Sequence, residues 1–130
     1  MEQTFFVSST LVTREVMEMP TYILLLKLTD RGIQEIRRAP QRITEAMEEF
    51  KRLGGNVMVF FPVMGDYDYV AIGDTPDDRV AMTFLLWLGS RGDVRTTTLR
   101  AFGLDVFTQI VDRLKGEPHE KKIPAGHPAR

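Results

Sequence analysis

Apolar residues fall along this chain in alternating short runs and three- and four-residue steps. Tyr22-Ile23-Leu24-Leu25-Leu26-Lys27-Leu28 is a brief apolar run bounded by Pro20 and by Thr29-Asp30, which predicts a strand. Asp30 is placed to cap a short helix carrying Ile33 and Ile36. Pro40 suits the first turn of the next helix, where a missing N–H costs nothing. In that helix Ile43, Ala46, Met47, Phe50 and Leu53 form one apolar stripe, and Gly54 supplies a left-handed stop. Val57-Met58-Val59-Phe60-Phe61 predicts a second strand, Gly65-Asp66 a turn, and residues 67–72 a third strand. Thr75-Pro76-Asp77-Asp78 predicts a helix start with Thr75 as the cap. Val80, Ala81, Phe84, Leu85 and Leu88 make its buried face, and Gly89 stops it. Residues 93–102 read as a fourth strand, and Phe107, Ile110, Val111 and Leu114 mark a last helix. The order is βαββαβ plus a C-terminal helix, an α+β, ferredoxin-like arrangement.

The strands ask for cover on both sides. In such a fold the helices hide one face of an antiparallel sheet, and a solvated second face gives an apolar–polar alternation. Here Tyr22, Leu24 and Leu26 lie on one face and Ile23 and Leu25 on the other. The second run sets Val57, Val59 and Phe61 against Met58 and Phe60. The simplest cover is the same sheet of another subunit, which predicts a homodimer or larger oligomer; the rival is a terminal segment laid across the sheet. Met82, Leu86 and Trp87 lie beyond the core face of their helix, either against the last helix or at a contact between dimers.

Two segments are more specific than the rest: Met64-Gly65-Asp66-Tyr67-Asp68-Tyr69, and Val94-Arg95-Thr96-Thr97-Thr98-Leu99-Arg100-Ala101-Phe102. With Met19-Pro20-Thr21-Tyr22-Ile23 and Leu53-Gly54-Gly55, the chain resembles the GYD-domain family, small bacterial proteins of the dimeric α/β-barrel type. The resemblance implies a domain over residues 19–114, with residues 1–18 as an N-terminal extension, and the Pro-, Gly- and charge-rich composition of residues 115–130 predicts a flexible tail. The first segment has a competing reading as an extra strand, through Thr4-Phe5-Phe6-Val7 and Thr10-Leu11-Val12-Thr13. The family carries no established catalytic assignment. Pro62 near the end of the second strand and Gly103-Leu104 before the last helix depart from its usual pattern.

Composition narrows the function classes. A chain of 130 residues with 43% apolar and 27% charged residues is an ordinary one-domain globule. A net charge of −1 argues against nucleic acid as a partner. The absence of cysteine excludes disulfides and thiolate sites and is compatible with a cytoplasmic location. No apolar run reaches the ~20 residues that cross a membrane. The only histidines, His119 and His127, lie in the tail, so no imidazole base or haem ligand falls in the folded part, and neither cofactor nor metal is expected.

What remains is polar residues on apolar strands. Tyr67, Asp68, Arg95, Thr97 and Arg100 sit in the segments that carry the resemblance, and Lys27 shares a strand face with Ile23 and Leu25. Lys27 either packs its stem and leaves its ammonium in solvent, or lines a site. Asp68 either ties the turn or orients a ligand. Arg95 and Arg100 have opposite parity, so one of them faces the barrel. Together these residues are the candidate lining for a small apolar or anionic ligand at the barrel mouth. Glu45, Glu48 and Glu49 read as a solvated helix face, with a Glu48–Arg52 pair. Two functions fit: a homo-oligomeric ligand-binding or interaction module, or a cofactor-free enzyme of monooxygenase or isomerase type working inside the barrel.

Overall fold

β1 (Thr21–Leu28) is the hub of the sheet, because it is hydrogen-bonded along both edges. The computed structural model describes residues 19–115. The expectations for residues 1–18 and 116–130 fall outside the described residues. After β1 come α1 (Asp30–Gln34), a 3₁₀ turn (Ile36–Arg38), α2 (Ala39–Arg52), β2 (Asn56–Pro62), β3 (Tyr69–Asp74), α3 (Asp78–Ser90), β4 (Val94–Ala101) and α4 (Leu104–Lys115). The strands form one antiparallel sheet in the order β2-β3-β1-β4, the ferredoxin-like topology expected from the alternation of periods.

The register fixes which side chains share a face. Tyr22, Leu24, Leu26 and Leu28 oppose Arg100, Thr98, Thr96 and Val94, while Ile23, Leu25 and Lys27 oppose Leu99, Thr97 and Arg95. The first group meets the helices. Leu26, Phe50, Tyr69, Phe84, Leu88 and Val94 are the buried cluster, with Phe50 and Phe84 edge to face at 4.8 Å. The second group forms an open face, continued by Val70 and Ile72 of β3.

β2 departs from the expected parity. Its register slips between Val57 and Val59, so Val57 and Phe60 pack on the helix-side core while Val59 and Phe61 pair with Ile72 and Val70 of the open face. The bulge inserts one residue and resets the alternation. Phe61 is left 59% exposed and Leu99 46% exposed, so apolar surface stays uncovered on the open face.

Helix starts also differ from expectation. α1 is capped by Thr29, whose hydroxyl accepts from the Gly32 amide at 3.1 Å, and Asp30 is its first residue. α3 starts at Asp78 under an Asp77 cap that accepts from the Val80 amide at 3.0 Å. Thr75 is fully buried instead, its hydroxyl donating to the Asp77 carbonyl and its amide to the Pro20 carbonyl. Pro40 lies in the first turn of α2, and Gly54 follows its end with φ of 102°, as expected. Tyr67 and Asp68 precede β3 rather than opening it. Arg52 pairs with Glu49, not Glu48. Trp87 packs on the core beside Phe84, while Met82 and Leu86 face outward.

Close packing leaves little room at Gly73 on β3. A Cβ there would lie 2.8 Å from the Asn56 carbonyl oxygen and 3.0 Å from the Phe50 ring. Gly73→Ala should therefore destabilise the protein by about 1–3 kcal/mol through overpacking. Urea unfolding of the variant against the parent measures this.

Candidate functional site

α2 carries the stripe Ile43, Ala46, Met47 and Phe50, yet only Phe50 is buried. The helix stands off the sheet, and between them lies a cavity of about 100 Å³. Its walls are apolar: Leu24 and Leu26 from β1, Phe60 from β2, Ile43 and Phe50 from α2, and Phe84 from α3. Protein interiors normally close such spaces, since unfilled volume forfeits dispersion contacts.

Two ion pairs hold α2 in that position. Arg42 Nε donates to Asp93 Oδ2 at 3.2 Å, and Arg91 donates in the opposite direction to Glu45 Oε1 at 2.7 Å. Each helix residue reaches the turn between α3 and β4. That turn is fixed in its own right. The Thr29 amide donates to the Asp93 carbonyl at 3.0 Å, the Thr29 hydroxyl donates to the Gly92 carbonyl at 2.7 Å, and Arg91 lies over the Trp87 ring at 4.8 Å.

The polar end of the cavity is uneven in its hydrogen bonding. Tyr69 is 8% exposed, and its hydroxyl has no partner among the described residues. Burial pushes this phenol up, and the charges of Asp68 and Asp93 add to the effect, so it stays protonated and can donate. Asp93 Oδ1 is buried with no partner. Burial raises the Asp93 carboxyl, but the hydrogen bond and charge of Arg42 outweigh it and hold the group below the usual carboxylate range. Glu45 is likewise lowered, chiefly by its hydrogen bond from Arg91.

The residues singled out at the barrel mouth do not gather at one point. Lys27, Arg95 and Thr97 share the open face, with Lys27 directly opposite Arg95. Two like charges in that position repel. Asp68 ties strands together: its Oδ2 accepts from the Leu28 amide at 2.8 Å, and its own amide donates to the Leu26 carbonyl. Tyr67 is half-buried in the preceding turn. Arg100 lies on the helix side at the other end of β4, over the rings of Phe102 and Tyr22 at 4.6 and 5.7 Å. Tyr22 itself donates a hydrogen bond to Asp78. Arg42, Arg91 and Asp93 were not among the expected site residues, and Glu45, expected on a solvated helix face, is instead paired with Arg91. The available signal was weak: Arg42 and Glu45 flank the apolar stripe of α2 three residues apart. Among the described residues no group of three or more His, Asp or Glu side chains is placed to hold a metal, and no helix is long and apolar enough to cross a membrane.

Replacing Asp93 by Asn should strand Arg42 and cost about 1–3 kcal/mol at neutral pH. Because the folded carboxyl titrates below its unfolded value near 4, its stabilisation is complete above about pH 4 and is lost as pH falls through the folded value. Denaturant titrations between pH 7 and pH 2 should show the parent losing stability below pH 4 more steeply than Asp93→Asn.

The sequence profile of the GYD domain matches residues 22–111. A Thermus thermophilus protein named "Glutamine synthetase and cystathionine beta-lyase binding protein" is 37% identical over 98 residues, 75% of this chain and 100% of its own length. Among solved structures, MtbAldR superposes with a TM-score of 0.50 at 18% identity, over 65% of this chain and 52% of that one. The feast or famine regulatory protein of M. tuberculosis, solved with L-methionine, gives 0.46 at 15% identity, over 70% and 55%. This chain thus spans about half the length of these two proteins. A structure from Thermus thermophilus gives 0.44 at 25% identity, over 65% of this chain and 95% of that one. On the profile match and the full-length relative, this chain belongs to the GYD domain family.

Proposed function

We propose that this protein is a self-associating interaction module that docks on metabolic enzymes rather than transforming a substrate. The observation that carries the reading is its uncovered apolar surface. Ile23, Leu25, Val59, Phe61, Val70, Ile72 and Leu99 share the open sheet face, and α4 has no buried residue although Phe107, Ile110 and Leu114 form a stripe along it. Contiguous apolar patches of this kind mark interaction sites.

The occupant of the sheet face is a second copy. Charge supports this: Lys27 and Arg95 stand at one end of the face, and Asp74, paired with Thr21, stands at the other. Two copies related by a two-fold axis, with their β1 strands running in opposite directions, bring the cations of each against the acid of its mate. Such a pairing also relieves the repulsion between Lys27 and Arg95. An anionic ligand held by Lys27, Arg95 and Thr97 would do the same, which keeps the anion expectation for these residues alongside the dimer.

The name of the Thermus thermophilus relative supplies the partner class, glutamine synthetase and cystathionine β-lyase. A cytoplasmic location fits such partners. With the sheet face and α4 turned to the mate, the outer face of α3 remains, where Met82 and Leu86 are 57% and 68% exposed at i,i+4 spacing.

Light scattering at micromolar concentration should find a dimer or larger species, and Leu25→Glu should reduce it to monomer or drive aggregation. A parent that stays monomeric defeats the self-association. Surface plasmon resonance against purified glutamine synthetase and cystathionine β-lyase should detect at least one complex, weakened about tenfold or more by Leu86→Asp with the dimer intact, about 1.4 kcal/mol per factor of ten. No binding to either enzyme defeats the docking reading.

A further inference from the structure

We propose that the cavity between α2 and the sheet is a binding site for a small, mainly apolar molecule carrying one hydrogen-bond donor, a hydroxyl or a protonated amine. The inference goes beyond the docking reading and does not depend on it. Three features meet in this one space. The cavity holds about 100 Å³, whereas an engineered apolar cavity of roughly 150 Å³ accepts benzene, so a molecule of about four to six heavy atoms fits. Its walls are side chains of Leu24, Leu26, Ile43, Phe50, Phe60 and Phe84, which offer a branched or aromatic body nothing but dispersion. Polar capacity is left over at one end: Asp93 Oδ1, a buried acceptor without a donor, and the hydroxyl of Tyr69, which has no hydrogen-bond partner among the described residues.

The chemistry of that end selects the ligand head. An orphaned carboxylate oxygen is costly to bury, and a donor from the ligand removes the cost. Asp93 already commits Oδ2 to Arg42, so its free oxygen takes one more hydrogen bond, not a bidentate partner. Tyr69 can accept from the same head or donate to its oxygen. Arg42 and Arg91 also line the cavity but are engaged by Asp93 and Glu45, so a carboxylate head would meet Asp93 as a second anion and acids of the same size are disfavoured.

Why the cavity persists follows from the clamp. The pairs Arg42–Asp93 and Glu45–Arg91 tie α2 to the turn before β4, and this keeps the helix from collapsing onto the sheet. An internal water on Asp93 is the competing occupant, and it would leave the cavity without preference among probes.

The test is an amide NMR titration of the full chain with isobutanol, isobutylamine and isobutyrate, each to about 50 mM. The proposal expects isobutanol or isobutylamine to shift Leu26, Phe50, Tyr69 and Val94 saturably and at least tenfold more tightly than isobutyrate. The tighter of the first two identifies the head as hydroxyl or ammonium. Ala46→Leu, which fills the cavity from α2, should abolish those shifts while keeping the fold. Tyr69→Phe should weaken binding about fivefold or more. Should no probe bind, should isobutyrate bind as well as the others, or should Ala46→Leu leave the shifts unchanged, the site is overturned.

Discussion

One sheet with two apolar faces governs this molecule. Among the described residues its helices cover only one of them. β1 concentrates the problem, because it is central and nearly every residue from Tyr22 to Leu28 is apolar. Helix-side residues assemble the Phe50–Phe84 core, while the opposite face displays Phe61 and Leu99 to solvent. Among the described residues the sheet is covered on one face only and the stripe of α4 is equally bare, so the apolar surface left over is a property of the architecture and not of one exposed side chain.

Much of the fold was legible because two periods alternate cleanly. The helix stripe on α2, the glycine after it and the central apolar run of β1 each specify an element by local rules. What escaped was set by competition or by distance. Thr75 and Asp77 can both cap a helix; Thr75 is drawn into the interior by its bonds to Asp77 and Pro20, and the cap passes to Asp77. The phase of β2 was unreadable for a different reason, since a run apolar on both faces gives no contrast to mark a bulge.

The candidate site was less legible than the fold. Tyr67, Asp68, Arg95 and Arg100 drew notice as polar residues on or beside apolar strands, but Asp68 is occupied with the Leu28 amide and the two arginines part to opposite faces. The polar end of the cavity rests on Arg42 and Asp93, which are 51 positions apart. Neither breaks a local pattern: one looks like the solvated edge of a helix, the other like the start of a strand. Only the tertiary approach of α2 to the turn before β4 gives them a shared purpose.

The slip in β2 makes that strand sensitive to length rather than composition. One extra residue between Val57 and Val59 keeps Phe60 with the core and Phe61 with the outer surface. Deleting Met58 alone, an exposed side chain whose substitution would disturb little, forces a choice on the strand. It must either lose its pairing with β3 on one side of the gap or exchange the inner and outer sets of its aromatic residues. The strand thus tolerates a change in the identity of that residue but not its loss.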